Sequence, residues 1–476
     1  MRVGITAHFQ FSVFSGGGSS TVFALAELMR LLNHEVTLLN LNGKQDWWDD
    51  LGSLKAMFPR QNVCDITEAF DLVLEVANTL PDKETRERCG KQCIWVIRKP
   101  VLLNDIENSI FPVILGKRNL EGLTAVWAMD AEVTGDDIQY LETLTRVPVL
   151  QVPYVWTPTM IMTQKKEANL PHWIQVAVAL TQQTQKILPW SVHICETNNS
   201  ATSSCTLPLV ILRELKKDKE FFFNKYKIHN AQPVENSQFF KQNVQAHSQI
   251  EDLSGEFAGR QRIVDWSVDP MSCILSHIRF RRLRPFLLEA LWLGIPIVHN
   301  APALKGLSAD YDRYSYSDNN ILEAVNAMKQ IQKDLHEGKG MFQQTALPGL
   351  QQKILEHFSP ISMKVVEGWR RALTTLPVVL QSPVKPPVPV TEPVKTPVTK
   401  DQPTFTVLFL DMWDGFHPDY NMFTLLLQEG SKNLVPKPVI QGVSKDTLPP
   451  GVKPNCIFFG PFGTEWKDEK WKGIPK

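Results

Sequence analysis

The sequence predicts an α/β protein built from two Rossmann-like units, and three observations carry that expectation. Short apolar runs alternate with helical periodicity from Arg2 to about residue 155, break around Thr157–Leu170, and restart to about residue 350. A glycine-rich loop, Gly16-Gly17-Gly18-Ser19, separates the first run from the first helix. Late in the second unit, Arg279–Asn300 passes from four arginines through an apolar helix bearing one glutamate into Gly294-Ile295-Pro296 and a buried run.

Composition sets the class. The 476 residues exceed one core. Apolar residues make up 43% and charged residues 21%, as in globular chains without membrane spans. Lys+Arg and Asp+Glu are both 50, so no global field draws nucleic acid or an anionic membrane. Any anion site is local. Seven scattered cysteines predict no disulfide framework, and Cys89 and Cys93 lack partners at zinc spacing. Met1–Thr6 enters a strand directly, which predicts a chain without a secretory signal and a cytoplasmic location. No 18-residue apolar run exists, so no membrane span is expected. The sequon Asn198-Asn199-Ser200 is expected to stay unmodified.

Taken in order, strands are expected at Arg2–Ala7, Glu35–Leu41, Asp71–Val76, Gln92–Arg98, Ala125–Met129 and Val147–Val155, with a helix over Thr21–Leu32. Residues 1–165 form the first unit. The second unit, 166–350, has expected strands at Trp190–Glu196, Phe221–Lys227, Ile263–Trp266 and Ile295–Val298. Its expected helices are Leu207–Leu215, Ser237–Gln245, Pro270–Leu275 and Asn319–His336. Leu350–Phe358 and Ser362–Leu373 read as helices, and residues 351–376 as a terminal helical segment packing back on a sheet. Residues 377–403 hold eight prolines and predict an extended linker. Residues 404–476 carry strands at Thr404–Asp411 and Asn455–Phe459 and a helix at Asn421–Gln428, a partial third α/β domain.

Candidate chemistry lies at strand ends, where open α/β sheets bind ligands. Gly16, Gly17, Gly18 and Ser19 let backbone N–H groups approach an anion or a polar sugar. Arg98 and Asp130 follow strands of the first unit. Asp105 and Glu107, in Asn104-Asp105-Ile106-Glu107, are candidate general bases, with His8 as a substitute; an N-cap is the bland reading of Asp105. In the second unit, the hydroxyl- and amide-rich loop beginning Glu196-Thr197-Asn198-Asn199-Ser200 can hold a diphosphate. Arg279, Arg281, Arg282 and Arg284 cannot share one face, but two or three can converge on phosphates. Glu289 can accept hydroxyls, and His277, His299 and Asn300 complete the expected donor side.

These residues resemble a family. Glu289-Ala290 through Gly294-Ile295-Pro296 resembles the donor motif of GT-B glycosyltransferases. Asn104–Glu107, Pro153-Tyr154-Val155-Trp156-Thr157-Pro158, Glu196-Thr197-Asn198 and Gly294–Pro302 are similar to a group of bacterial GT-B-like proteins. This likeness covers roughly Met1–Phe358. It implies a GT-B fold of two Rossmann-like domains facing a cleft, the acceptor on the first and a nucleotide-sugar on the second. It also implies that no bound metal is required. The common retaining pattern has a glutamate eight residues before Glu289; here that residue is Arg281, which favours inversion. Phe405–Trp413 and Asn455–Gly463 resemble the acceptor half of alpha-fucosyltransferases. The whole arrangement is similar to multidomain glycosyltransferases of large algal (chlorella) viruses.

The expectation is therefore transfer of a sugar, with UDP-hexose (galactose first) as co-substrate, to a growing glycan of a viral capsid. Asp105 would be the base of a direct displacement. The expected partners are an oligosaccharide or glycoprotein acceptor and a further C-terminal glycosyltransferase domain. Two alternatives stand beside it: a metal-dependent GT-A enzyme using Asp310 and Asp312, and a non-catalytic glycan-binding scaffold.

Overall fold

The computed structural model describes residues 1–7, 17–41, 54–76, 79–110, 118–133, 135–168, 173–184, 188–217, 221–246, 254–267, 269, 271–376, 404–410, 439–444 and 456–459. The chain forms two compact units, Met1–Gln381 and Ser382–Lys476.

The first half of the larger unit is a seven-stranded sheet. Its strands are β1 (Arg2–Ala7), β2 (Glu35–Asn40), β3 (Arg60–Asn62), β4 (Leu72–Val76), β5 (Cys93–Ile97), β6 (Ala125–Met129) and β7 (Val149–Val152). The order is β3-β2-β1-β4-β5-β6-β7, every pairing parallel. Strands β4, β5 and β6 are buried along their whole length, which is why they read as unbroken apolar runs rather than as alternation. Helices α1 (Gly17–Leu31), α2 (Lys83–Cys89), α3 (Val101–Ile110) and α4 (Gly135–Thr145) cover the sheet. Inside this half, Glu75 and Arg86 form a wholly buried ion pair, Arg86 Nε donating to Glu75 Oε1 at 2.6 Å.

Helices α5 (Thr159–Glu167) and α6 (Trp173–Thr184) lead into the second half. Its strands are β8 (Trp190–Ile194), β9 (Phe223–Ile228), β10 (Ser254–Phe257), β11 (Ser272–Leu275) and β12 (Ile297–Val298), ordered β10-β9-β8-β11-β12 and parallel. Its helices are α7 (Thr206–Lys217), α8 (Gln232–Glu235), α9 (Ile263–Trp266), α10 (Pro285–Leu293), α11 (Ala309–Asp312) and α12 (Ile321–Glu337). Proline at the start of α10 and Gly294 just past its end, at φ 77°, fix its length. Two expectations are corrected. Ile263–Trp266 is one helical turn, not a strand, and its Asp265 carboxylate accepts from Arg262 N at 3.1 Å. Ser272–Leu275, expected within a helix, is the strand beside β8. Apolar runs of four residues do not distinguish the two states.

Helices α13 (Ala346–Phe358) and α14 (Met363–Thr374) return to the first half. Phe358 O accepts from Trp156 N at 2.8 Å, and Trp369 Nε1 donates to Pro153 O at 2.8 Å. The Trp369 ring meets Trp127 edge-on at 5.5 Å. One apolar core runs from Val3 to Ala372 through both halves.

The smaller unit contains a parallel sheet of β13 (Thr404–Leu410), β14 (Val439–Ser444) and β15 (Cys456–Phe459), with β13 central. The expected linker 377–403 and helix Asn421–Gln428 lie outside the described residues. No described helix is long and apolar enough to cross a membrane.

Candidate functional site

In both sheets the strand order reverses next to the first strand of the half, between β1 and β4 and between β8 and β11, and such switch points open crevices at strand C-termini. Just past β8, the wholly buried Glu196 carboxylate accepts from Ser276 Oγ at 2.8 Å, His277 N at 3.1 Å and Ser203 Oγ. Arg284 NH1 donates to the same carboxylate at 2.5 Å, and its NH2 to Cys195 O at 2.8 Å. A buried charge needs this many partners. Arg284 also precedes α10, so the pair ties two strand ends to the start of that helix.

Neighbouring predicted residues do similar work. Asn198, at φ 55°, accepts from Cys205 N at 2.8 Å and donates to His229 O at 3.1 Å. Asn300 brackets Ile278, accepting from its N at 2.9 Å and donating to its O at 2.8 Å. Tyr316 OH donates its single proton to Ser276 O at 2.9 Å, so His277 Nδ1 donates to Tyr316 OH at 3.0 Å. Burial holds the His277 ring below its ordinary pKa. His299 Nδ1 accepts from Ala301 N at 3.1 Å, and burial pushes that ring down to about 4. These side chains shape the loops. Asn199 is exposed.

The two halves meet through two carboxylates of the first. Glu107 Oε1 accepts from Ala201 N at 2.6 Å and Ser200 Oγ at 3.1 Å. Glu132, just beyond β6 and wholly buried, accepts on Oε2 from Arg281 Nε at 2.8 Å and from Arg281 NH2. Beside this pair, three buried atoms have no hydrogen-bond partner among the described residues: Glu132 Oε1, Arg98 Nε and Tyr154 OH. Burial pushes the Glu132 pKa up, against the Arg281 and Arg98 charges. Burial first, then the Glu132 charge, pushes the Tyr154 hydroxyl well above its usual range. Glu289, on α10 and in electrostatic range of Tyr154, is raised to about 7 by burial despite Arg284. Such a cluster of perturbed groups where the halves meet makes this the candidate functional site.

The start of α1 borders this cluster. A Cβ on Gly17 would lie 2.9 Å from Pro285 Cγ and 3.4 Å from Arg98 NH1; one on Gly18 would lie 3.5 Å from Arg98 NH2. Bare backbone therefore brings the α1 N-terminus to both the guanidinium and the start of α10. Ser19 lies half-buried in this first turn. Gly16 and His8 lie outside the described residues.

Asp105 is not placed as a free base. Its two oxygens accept from Arg118 NH1 and NH2, both at 2.6 Å, and Oδ2 also accepts from Tyr140 OH at 2.7 Å. Asp130 Oδ1 accepts from Tyr154 N at 2.9 Å and holds the chain after β7. Arg279 and Arg282 are exposed, while Arg281 and Arg284 are ion-paired. In the Asp310-Tyr311-Asp312 alternative, Asp312 Oδ2 accepts from Gly306 N at 2.9 Å. Among the described residues no group of three or more His, Cys, Asp or Glu side chains is placed to hold a metal. Glu132 was missed in the sequence because it sits between Ala131 and Val133 with nothing local to mark it. Tyr154 was visible only as part of Pro153–Pro158.

Residues 3–373 match a family described as a protein of unknown function (DUF2827). Comparison with curated protein sequences finds no match. Among solved structures, the chain is similar to the N-terminal domain of Candida albicans trehalose-6-phosphate phosphatase. There the TM-score is 0.50 at 8% identity, covering 78% of this chain and 96% of that one. It is also similar to an alpha-glucosyltransferase in complex with UDP-glucose and DNA, with TM-score 0.49, 8% identity, and 79% and 99% covered. A third is the sucrose-phosphate synthase of Thermosynechococcus elongatus, with TM-score 0.46, 9% identity, and 78% and 99% covered. At 8% identity the likeness to the first of these concerns the fold alone, a two-sheet α/β arrangement. On the match over residues 3–373, the chain belongs to the DUF2827 family.

Proposed function

We propose that this protein is a glycosyltransferase that moves a sugar from a nucleotide-sugar to a glycan hydroxyl in the crevice between its halves. One observation carries this reading: Glu132 Oε1, Arg98 Nε and Tyr154 OH are buried, unpartnered among the described residues, and gathered around the Glu132–Arg281 pair where the halves meet. Unmatched buried groups cost about 1–3 kcal/mol each, and these three differ from the other such atoms in acting electrostatically on one another and on Arg281.

In this reading Glu132 replaces Asp105 as proton acceptor, because Asp105 is held by Arg118 and Tyr140. The acceptor hydroxyl gives its proton to Glu132 Oε1 and its oxygen attacks the anomeric carbon. The bond to the diphosphate breaks with its electron pair going to the phosphate oxygen, whose charge Arg98 and Arg281 stabilise. Glu132 is wholly buried, so the halves part to admit substrate. Glu289 takes hydroxyls of the donor. The displacement is direct, inverts the anomer and uses protein cations rather than a metal. UDP-hexose, galactose first, is the donor assigned. A fucosyltransferase-like role for residues 404–476, and viral capsid glycan as product, extend the reading on sequence resemblance alone.

The test is a calorimetric and donor-hydrolysis screen across UDP-, GDP- and dTDP-sugars, followed by NMR of the product anomer. Binding and turnover of one donor, lost in Glu132→Gln with binding retained, is the expected result. Absence of binding to every donor would leave a non-catalytic glycan-binding scaffold instead.

A further inference from the structure

Phe280 is the unusual residue of the arginine loop. Its backbone lies in the left-handed region at φ 56°, which a bulky side chain avoids, and the residue is 58% exposed. The flanking chain holds it there. Arg279 N donates to Thr202 O at 3.0 Å, Asn300 brackets Ile278, and Arg281 is paired to Glu132. Beyond it, Ala303 N donates to Arg282 O at 3.1 Å, and Arg284 is locked to Glu196. A strained, exposed aromatic ring in an anchored loop is not explained by packing. Its charge setting is also one-sided. The Arg279 guanidinium lies 5.1 Å from the ring centroid, and Arg282 is exposed. Neither arginine has an ion-pair partner among the described residues.

A ligand suited to this surface carries a flat ring and anionic groups together. A neutral sugar answers the ring but leaves the guanidiniums unused; inorganic phosphate does the reverse. A nucleoside diphosphate answers both. We propose that Phe280 is the stacking platform for the base of a nucleoside diphosphate whose phosphates run past Arg279 and Arg282 toward Arg281. The assignment rests on the nucleotide-sugar reading above and adds the residues that grip the nucleotide. Arg281 and the Glu132 cluster then lie next along the loop, toward the other half, where the sugar is transferred.

The test titrates the full chain with UDP, uridine and inorganic pyrophosphate by calorimetry. Phe280→Ala is expected to weaken UDP and uridine by about tenfold and leave pyrophosphate unchanged. Arg279→Gln with Arg282→Gln is expected to weaken UDP and pyrophosphate and leave uridine unchanged. Phe280→Trp keeps UDP binding. Phe280→Gly relieves the left-handed strain, so it melts higher than wild type yet binds UDP as weakly as the alanine variant. That combination separates lost contact from lost fold. UDP binding unaltered in both Phe280→Ala and Phe280→Gly overturns the platform while the nucleotide-sugar reading stands. A wild-type protein that binds none of UDP, GDP and dTDP removes that reading, and the platform with it.

Discussion

Arg281 and Glu132, 149 residues apart in sequence, form an ion pair between the two halves, with side-chain exposures of 10% and 0%. Removing one partner of such a pair leaves a buried charge uncompensated, at about 3–5 kcal/mol. Arg281→Met is therefore expected to lower stability by that order in urea denaturation. Adding Glu132→Gln to Arg281→Met removes the stranded charge and recovers much of the loss. A double variant no more stable than the single one contradicts the pairing as described.

Asp105→Asn distinguishes the sequence expectation from the structure. As the base, Asp105 would be indispensable to turnover. As the partner of Arg118 and Tyr140, it is needed for local order. The expected result is turnover near the wild-type level with stability lower by about 1–3 kcal/mol. Abolished turnover at unchanged stability would restore Asp105 to catalysis.

A histidine pair in the second half makes stability depend on acid. His193 Nδ1 and His229 Nε2 share a hydrogen bond at 2.9 Å, and His193 stacks on Trp266 at 4.1 Å. Burial, then each ring's cationic neighbours, pushes His193 down to about 3 and His229 down to about 4. The unfolded rings bind protons near pH 6.5, which the folded pair refuses until far lower pH. The pair's contribution is thus full above about pH 6.5 and falls as pH drops toward 4. Denaturation from pH 7 to 4.5 should show this slope, and His193→Gln should flatten it. An unchanged slope in the variant assigns the acid sensitivity elsewhere.

Glu289 should make nucleotide binding depend on pH near neutrality. Its carboxyl, raised to about 7 by burial, accepts hydroxyls best when ionised. Affinity for a UDP-sugar is expected to fall as pH drops from 8 to 6, and Glu289→Gln to bind more weakly with little dependence across that range. Parallel pH curves for the two proteins would remove Glu289 from the donor contact.

The sheets were legible because buried parallel strands such as Leu72–Val76 and Ala125–Met129 are continuous apolar runs. Legibility failed where runs shrank to four residues, at Ile263–Trp266 and Ser272–Leu275, and at the short, polar strands β3 and β10. The arginine stretch was visible as a cluster of charge. Its division into paired Arg281 and Arg284 and exposed Arg279 and Arg282 was not, because the partners Glu132 and Glu196 lie far away in sequence. Glu132 follows a strand inside an apolar segment, and only the fold gives it a neighbour.

The return of α14 has a consequence for how the polypeptide is made. All seven strands of the first sheet have been synthesised by residue 152, yet Trp127 and the Pro153 carbonyl wait for Trp369. More than two hundred residues must be translated before that surface is sealed. The first half therefore finishes last as well as beginning first, and the second half is built while its neighbour is still open. Gene fragments cut at the crossing near residue 165 separate Trp127 from its cover and are expected to yield aggregating pieces. A boundary after Thr374 keeps the seal.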